Sequence, residues 1–152
     1  MEPAEMVRVV HEHLAFEKAH NAPSAAACYV DDGYYVHTPL GLRLEGRGAV
    51  ELNYVSNYAA MPDVTFDIEG EVVGEPGLMH WATMRGTLDG TFLGQAPTHR
   101  SVTLPFVARY EFRDGKILGE TLWFDLYTLC DQGGLVIEAV RTTAAELAAA
   151  LT

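Results

Sequence analysis

Leu104-Pro105-Phe106-Val107-Ala108-Arg109-Tyr110-Glu111-Phe112-Arg113-Asp114-Gly115-Lys116-Ile117-Leu118-Gly119-Glu120-Thr121-Leu122-Trp123-Phe124-Asp125 is the stretch on which the fold turns. Two apolar runs flank Asp114-Gly115, and Asp-Gly supplies the two positive-φ residues of a tight type I′ hairpin. Counting outward from that turn pairs Phe112 with Ile117, Tyr110 with Gly119, Ala108 with Thr121, Phe106 with Trp123 and Leu104 with Asp125. Side chains alternate with period two, so this register puts those residues on one apolar face and sets Arg109 across from Glu120 on the solvent face. Asp125 then closes the second strand on the apolar side. Desolvation disfavours a charged carboxylate, so its pKa is expected to rise above the reference of about 3.9, poising it to carry a proton. Asp125 also suits the N-cap of a helix starting at Leu126, and the two roles are compatible.

The chain of 152 residues is long enough for one domain with a real core. Its 49% hydrophobic and 20% charged residues describe a globular protein rather than a disordered one. A net charge of -11 argues against nucleic acid or an anionic membrane surface as partner, because both need basic patches. Cys28 and Cys130 show no CxxC spacing, so no disulfide framework is expected, and a reducing cytoplasm is the expected compartment. The opening residues lack the basic and apolar regions of a signal peptide, and no apolar run approaches the ~20 residues of a membrane span.

Outward from the hairpin, Met6, Val7, Val10, Leu14 and Phe16 recur at helical spacing within residues 3–20. His11 and His13 inside that helix point about 200° apart, so they cannot share a metal and are expected at the surface. Ser24 is expected to cap a second short helix running through Ala25 to Val30 and ended by Asp31-Asp32-Gly33. Tyr34 to Thr38 reads as a strand stopped by Pro39, with His37 at its end either as a core histidine or as a hydrogen-bond donor in a pocket. Gly46-Arg47-Gly48 opens a third helix, stopped at Met61-Pro62-Asp63. There Val50, Tyr54 and Tyr58 stack at i, i+4, i+8, a stripe suited to core packing whose phenols could also meet a ligand.

Val64 to Val73 and Leu78 to Leu88 read as strands, 88–100 as a loop, and Leu135 to Leu151 as an alanine-rich helix. Helices followed by a run of strands give an α+β domain with an antiparallel sheet and helices packed on one face. Curvature of such a sheet leaves an apolar cavity between the layers. The expected organisation is a domain over 1–134 with residues 135–152 as a helical extension of it.

Tyr35-Val36-His37-Thr38-Pro39, Gly46-Arg47-Gly48-Ala49, Met61-Pro62-Asp63, Arg85-Gly86-Thr87, the 94–100 loop, Asp114-Gly115-Lys116-Ile117 and Trp123-Phe124-Asp125 with Gln132-Gly133 follow one another in an order that resembles the SnoaL-like polyketide cyclases. That family lies within the nuclear transport factor 2-like (cystatin-like) fold, a cone of curved sheet and helices. The resemblance implies an intramolecular aldol ring closure by general acid/base catalysis without metal or organic cofactor, a homodimer, and the acid/base role on Asp125. Two positions depart from the family pattern. Leu88 stands where a histidine often follows Gly-Thr, and Ala96-Pro97-Thr98-His99-Arg100 stands where Pro-Pro-Thr-Gly-Arg is usual.

The resulting expectation is an enzyme for an apolar, carbonyl-bearing small molecule. Asp125 and His37 would be catalytic, with His37 or Tyr54 donating to a developing enolate. Trp123, Leu104, Phe106, Tyr54, Tyr58, Arg85 and His99 would contact the substrate. The alternatives are a non-catalytic binder of small hydrophobic ligands, and an epoxide hydrolase or isomerase on the same fold. Arg85-Gly86-Thr87 lacks the acid of the former, and Thr38 replaces the aspartate before proline of the latter.

Overall fold

The computed structural model describes residues 1–151. Three helices, α1 (Pro3–Lys18), α2 (Ala22–Ala27) and α3 (Arg47–Ala60), accompany six strands, β1 (Tyr29–His37), β2 (Leu42–Glu45), β3 (Thr65–Gly74), β4 (Gly77–Thr87), β5 (Ser101–Arg113) and β6 (Lys116–Phe124). Two more helices, α4 (Leu126–Gly133) and α5 (Ile137–Ala150), complete the chain. The strands form one curved sheet in the order β2-β1-β6-β5-β4-β3, antiparallel throughout except where β1 runs parallel to β6. Among the described residues no helix is long and apolar enough to cross a membrane.

Local chemistry explains most of these boundaries. Pro3 at the first turn and Glu5 near the positive helix end start α1, and its buried face is Met6, Val9, Val10, His13 and Leu14. Asn21, not Ser24, caps α2 by accepting from the Ser24 N–H, so the helix starts earlier than expected and Asp31-Asp32-Gly33 fall inside β1. The short β2, unforeseen because Pro39 and Gly41 read as a turn, pairs with the end of β1. One apolar cluster joins α1, α2 and α3 to the sheet through Val10, Ala25, Val50, Leu78 and Ile117. A second joins Leu88, Val102, Leu104, Leu129 and Val140 beneath α4 and α5. Each such fully buried aliphatic side chain contributes about 1.5–3 kcal/mol.

The decisive departure lies in the hairpin. Arg113 pairs with Lys116 and Phe112 with Ile117 as the turn dictates, but the next pair is Glu111 with Gly119. Leu118 is an extra residue, a β-bulge, and every later pair is displaced by one, so that Tyr110 faces Glu120 and Phe106 faces Phe124. A one-residue slip exchanges the two faces of a strand. Glu120, Leu122 and Phe124 therefore turn toward the helices, while Trp123 and Asp125 turn to solvent. Gly119 permits this, because a Cβ there would stand 2.1 Å from the Tyr34 ring that lies across it.

Candidate functional site

Between the sheet and the helices lies a cavity of about 410 Å³, within the range of small-molecule sites. Its walls are mainly apolar, including Leu104, Phe106, Leu122 and Phe124 from the sheet and Tyr58 from α3. Leu52 on α3 and Leu147 and Leu151 at the end of α5 also line it and are exposed, forming a greasy rim.

Polar groups meet this cavity in two places. On one wall His37 ends β1 and Asn53 projects from α3, with His37 Nε2 donating to Asn53 Oδ1 at 2.8 Å. His37 Nδ1 and Asn53 Nδ2 are buried without a protein partner. Burial holds the His37 pKa below its usual value, against the opposing effect of the hydrogen bond it donates to Asn53, so the ring is neutral. This wall thus offers a ligand one acceptor, His37 Nδ1, and one donor group, the Asn53 Nδ2 amide. The donor expected of His37 is supplied by the amide it orients.

The second place gathers Glu17, Tyr54, His80, Tyr110 and Glu120 on the wall, with His13 and Tyr29 behind. Glu120, 3% exposed, receives hydroxyl hydrogen bonds from Tyr29 at 2.6 Å, Tyr54 at 3.1 Å and Tyr110 at 3.2 Å. His13 Nδ1 donates to the Ala25 carbonyl at 3.0 Å, which aims Nε2 at Glu17 Oε1 2.6 Å away and at Glu120 Oε2 3.7 Å away. Burial alone would lift Glu120, but the hydrogen bond and charge of His13 and the Tyr29 hydroxyl hold it below the usual carboxylate range. Burial would lower His13, yet the neighbouring Glu17 charge and further hydrogen bonds raise it well above its ordinary value. Glu17 is raised, first by burial and also by the Glu120 charge, against the pull of His13. The ligand atoms of His13, Glu17 and Glu120 lie within 4.8 Å of one another. Three phenols close on Glu120, and Glu17 is tied to His13.

The structure separates the residues that the sequence pointed to. His37, Leu104, Phe106, Tyr54 and Tyr58 lie on the cavity wall. Asp125 does not. It is exposed, and its carboxylate accepts from the Tyr127 N–H at 3.1 Å and the Thr128 hydroxyl at 2.6 Å, capping α4. The bulge at Leu118 turns Asp125 away from the apolar face on which the hairpin count placed it. Trp123 lies on the same outer side, 36% exposed, near the Arg109 guanidinium. Arg85 pairs with Asp67 and His99 with Asp89, both at the surface and away from the cavity. Leu88 is packed in the second apolar cluster.

Sequence reasoning missed His13, Glu17, Asn53, His80 and Glu120. His13, expected at the surface, is fully buried. Its signal was present, because Met6, Val10, His13 and Glu17 fall at i, i+4, i+7 and i+11 and share one helix face. Glu120 was hidden by the bulge, for which the lone Gly119 within a strand pattern is the available clue.

Comparison with known proteins agrees with this architecture. The sequence model of the SnoaL-like polyketide cyclases matches residues 7–133. The chain belongs to that family. A proposed SnoaL-like polyketide cyclase from Jannaschia sp. CCS1 is similar to this SnoaL-like protein with a TM-score of 0.79 at 16% identity, covering 86% of this chain and 92% of that one. IdmH, a proposed polyketide cyclase from Streptomyces antibioticus, gives 0.71 at 17% identity over 86% and 99%. A protein of ketosteroid isomerase-like fold from Catenulispora acidiphila DSM 44928 gives 0.73 at 20% over 86% and 95%. At such identities these likenesses show the nuclear transport factor 2-like fold alone. No curated protein matches the sequence significantly.

Proposed function

We propose that this SnoaL-like protein is an acid/base enzyme acting on an apolar, carbonyl-bearing small molecule, and that its reaction is an intramolecular aldol ring closure of the polyketide cyclase type. The observation that carries the reading is the apolar cavity of about 410 Å³ whose few polar groups include an unpartnered donor and acceptor, Asn53 Nδ2 and His37 Nδ1, and buried carboxyl groups. Exclusion of water by Leu104, Phe106 and Tyr58 strengthens each hydrogen bond made inside. Asn53 is suited to stabilise the oxygen of an enolate, with His37 orienting its amide. Proton transfer of this kind needs no organic cofactor and no metal.

The test is incubation with linear aryl poly-β-ketones, separating products by chromatography and mass. An isomer of unchanged mass, formed faster than in buffer, supports ring closure. Ligands that stabilise the fold against heat yet are recovered unchanged would instead support a binding protein, the reading favoured by the packed Leu88 in place of a family histidine. The proposed homodimer is supported by the exposed Trp81, Trp123 and Val72 on the outer face of the sheet, and solution mass checks it.

A further inference from the structure

With Asp125 outside the cavity, an acid/base enzyme needs its proton carrier elsewhere on the wall. We propose that Glu17 on α1 is the catalytic proton carrier of this cavity, sharing its proton with His13, and that Glu120 is a positioning anion behind that pair. The inference rests on the acid/base reading above and names the group that performs it.

Geometry separates the two carboxyl groups. Both face one imidazole, but Glu120 is satisfied by the hydroxyls of Tyr29, Tyr54 and Tyr110, which fix it as a buried anion. Among the described residues the Glu17 carboxyl pairs with His13 alone, and it lines the cavity with 16% of its side chain exposed. His13 Nδ1–H is committed to Ala25, so Nε2 is the only nitrogen left to exchange a proton with Glu17. Two carboxylates beside one imidazolium cannot both be equally favoured as anions, and the one without phenol donors is the one whose proton moves. The perturbed titration of Glu17, raised first by burial, agrees with this. The groups that face it are His13 on its own helix, Tyr54 and Tyr58 from α3, Tyr35 from β1, Tyr110 from β5 and Glu120 from β6. All four tyrosines are pushed above their ordinary values, first by burial, and stay neutral, leaving His13 and Glu120 as the charges that set Glu17.

The step balances without oxidant or reductant. The Glu17 carboxylate takes a proton from the carbon next to a carbonyl, and the C–H electron pair becomes the enolate. The enolate carbon bonds to a second carbonyl carbon of the same molecule, whose π pair moves onto its oxygen. That alkoxide takes the proton back from the Glu17 carboxylic acid, restoring the carboxylate.

The probe is 2-tetralone in deuterium oxide, an apolar ketone whose α-hydrogen exchange reports enolate formation without ring closure, followed by proton NMR. Wild type is expected to accelerate exchange, and Glu17→Gln to lose about 10²–10⁴-fold of that acceleration with tetralone affinity little changed. Glu17→Asp should recover part of it. Glu120→Gln should move the acid limb of the pH–rate profile to lower pH, because the like charge that raises Glu17 is gone; a purely structural role would lower the amplitude without moving the midpoint. A carboxyl-carbon NMR titration of the unsubstituted chain covers the case of a variant that fails to fold, and no glutamate titrating above the usual range would overturn the assignment. Exchange undiminished in Glu17→Gln would overturn Glu17 while leaving the enzyme reading intact, and parallel loss in Asp125→Asn would name the replacement. Wild type that binds tetralone without accelerating exchange would overturn both.

Discussion

Glu120 and Asp125 lie five residues apart at the end of one strand, and the fold treats them oppositely. Glu120 is sealed under three phenols and an imidazole, whereas Asp125 stands in solvent and caps α4. Both are acids in an apolar neighbourhood of sequence. The difference comes from the bulge at Leu118, which reverses the facing of the residues after it, and from the start of α4, which gives Asp125 two local donors. The burial of a carboxylate follows the phase of its strand, and its usefulness follows the partners that other elements bring to it.

Substitutions on each side of this contrast should differ in size. Glu120→Ala strands three buried hydroxyls and the His13 charge, so a loss of about 3–5 kcal/mol is expected in urea denaturation; a loss under 1 kcal/mol would mean the cluster is solvated. Gly119→Ala drives a Cβ into the Tyr34 ring, which is held by Glu111 through its hydroxyl and by Arg43 over its face at 3.9 Å. The expected cost is about 1–3 kcal/mol, read by the same denaturation. A neutral result would show that Tyr34 yields and that the bulge does not depend on this glycine.

The cluster also predicts a pH dependence of stability. His13 is raised in the folded chain, so its stabilisation is fully present below the ordinary histidine value of 6.5 and is lost as pH rises through the folded pKa. Within that window the slope contributed by one proton approaches about 1.4 kcal/mol per pH unit, and His13→Gln should abolish that contribution in denaturation midpoints measured across pH. Glu17, raised as well, adds a decline of the same sign as pH rises from 4.5. Glu120 is depressed, and its contribution is lost only as pH falls through its folded value. The smallest effect belongs to Asp125→Ala, which removes a helix cap at about 1 kcal/mol and leaves tetralone exchange at the wild-type rate.

Much of the architecture follows from residue order alone. Alternating apolar residues from Val64 to Phe124 specify strands, Asp114-Gly115 specifies their sharpest turn, and the pattern from Met6 to Leu14 specifies α1, because these signals act over a few neighbouring residues. The cap at Asp125 and the cavity positions of His37 and Tyr54 were legible for the same reason. Tertiary structure decided which acid is buried. Periodicity tells that side chains alternate without telling where the count skips, and Leu118 is extruded because Tyr34 of β1 lies over Gly119 and Ile117 must still reach the core. The meeting of His13, Glu17 and Glu120 joins side chains about a hundred positions apart, and nothing local on α1 or β6 announces a partner on the other.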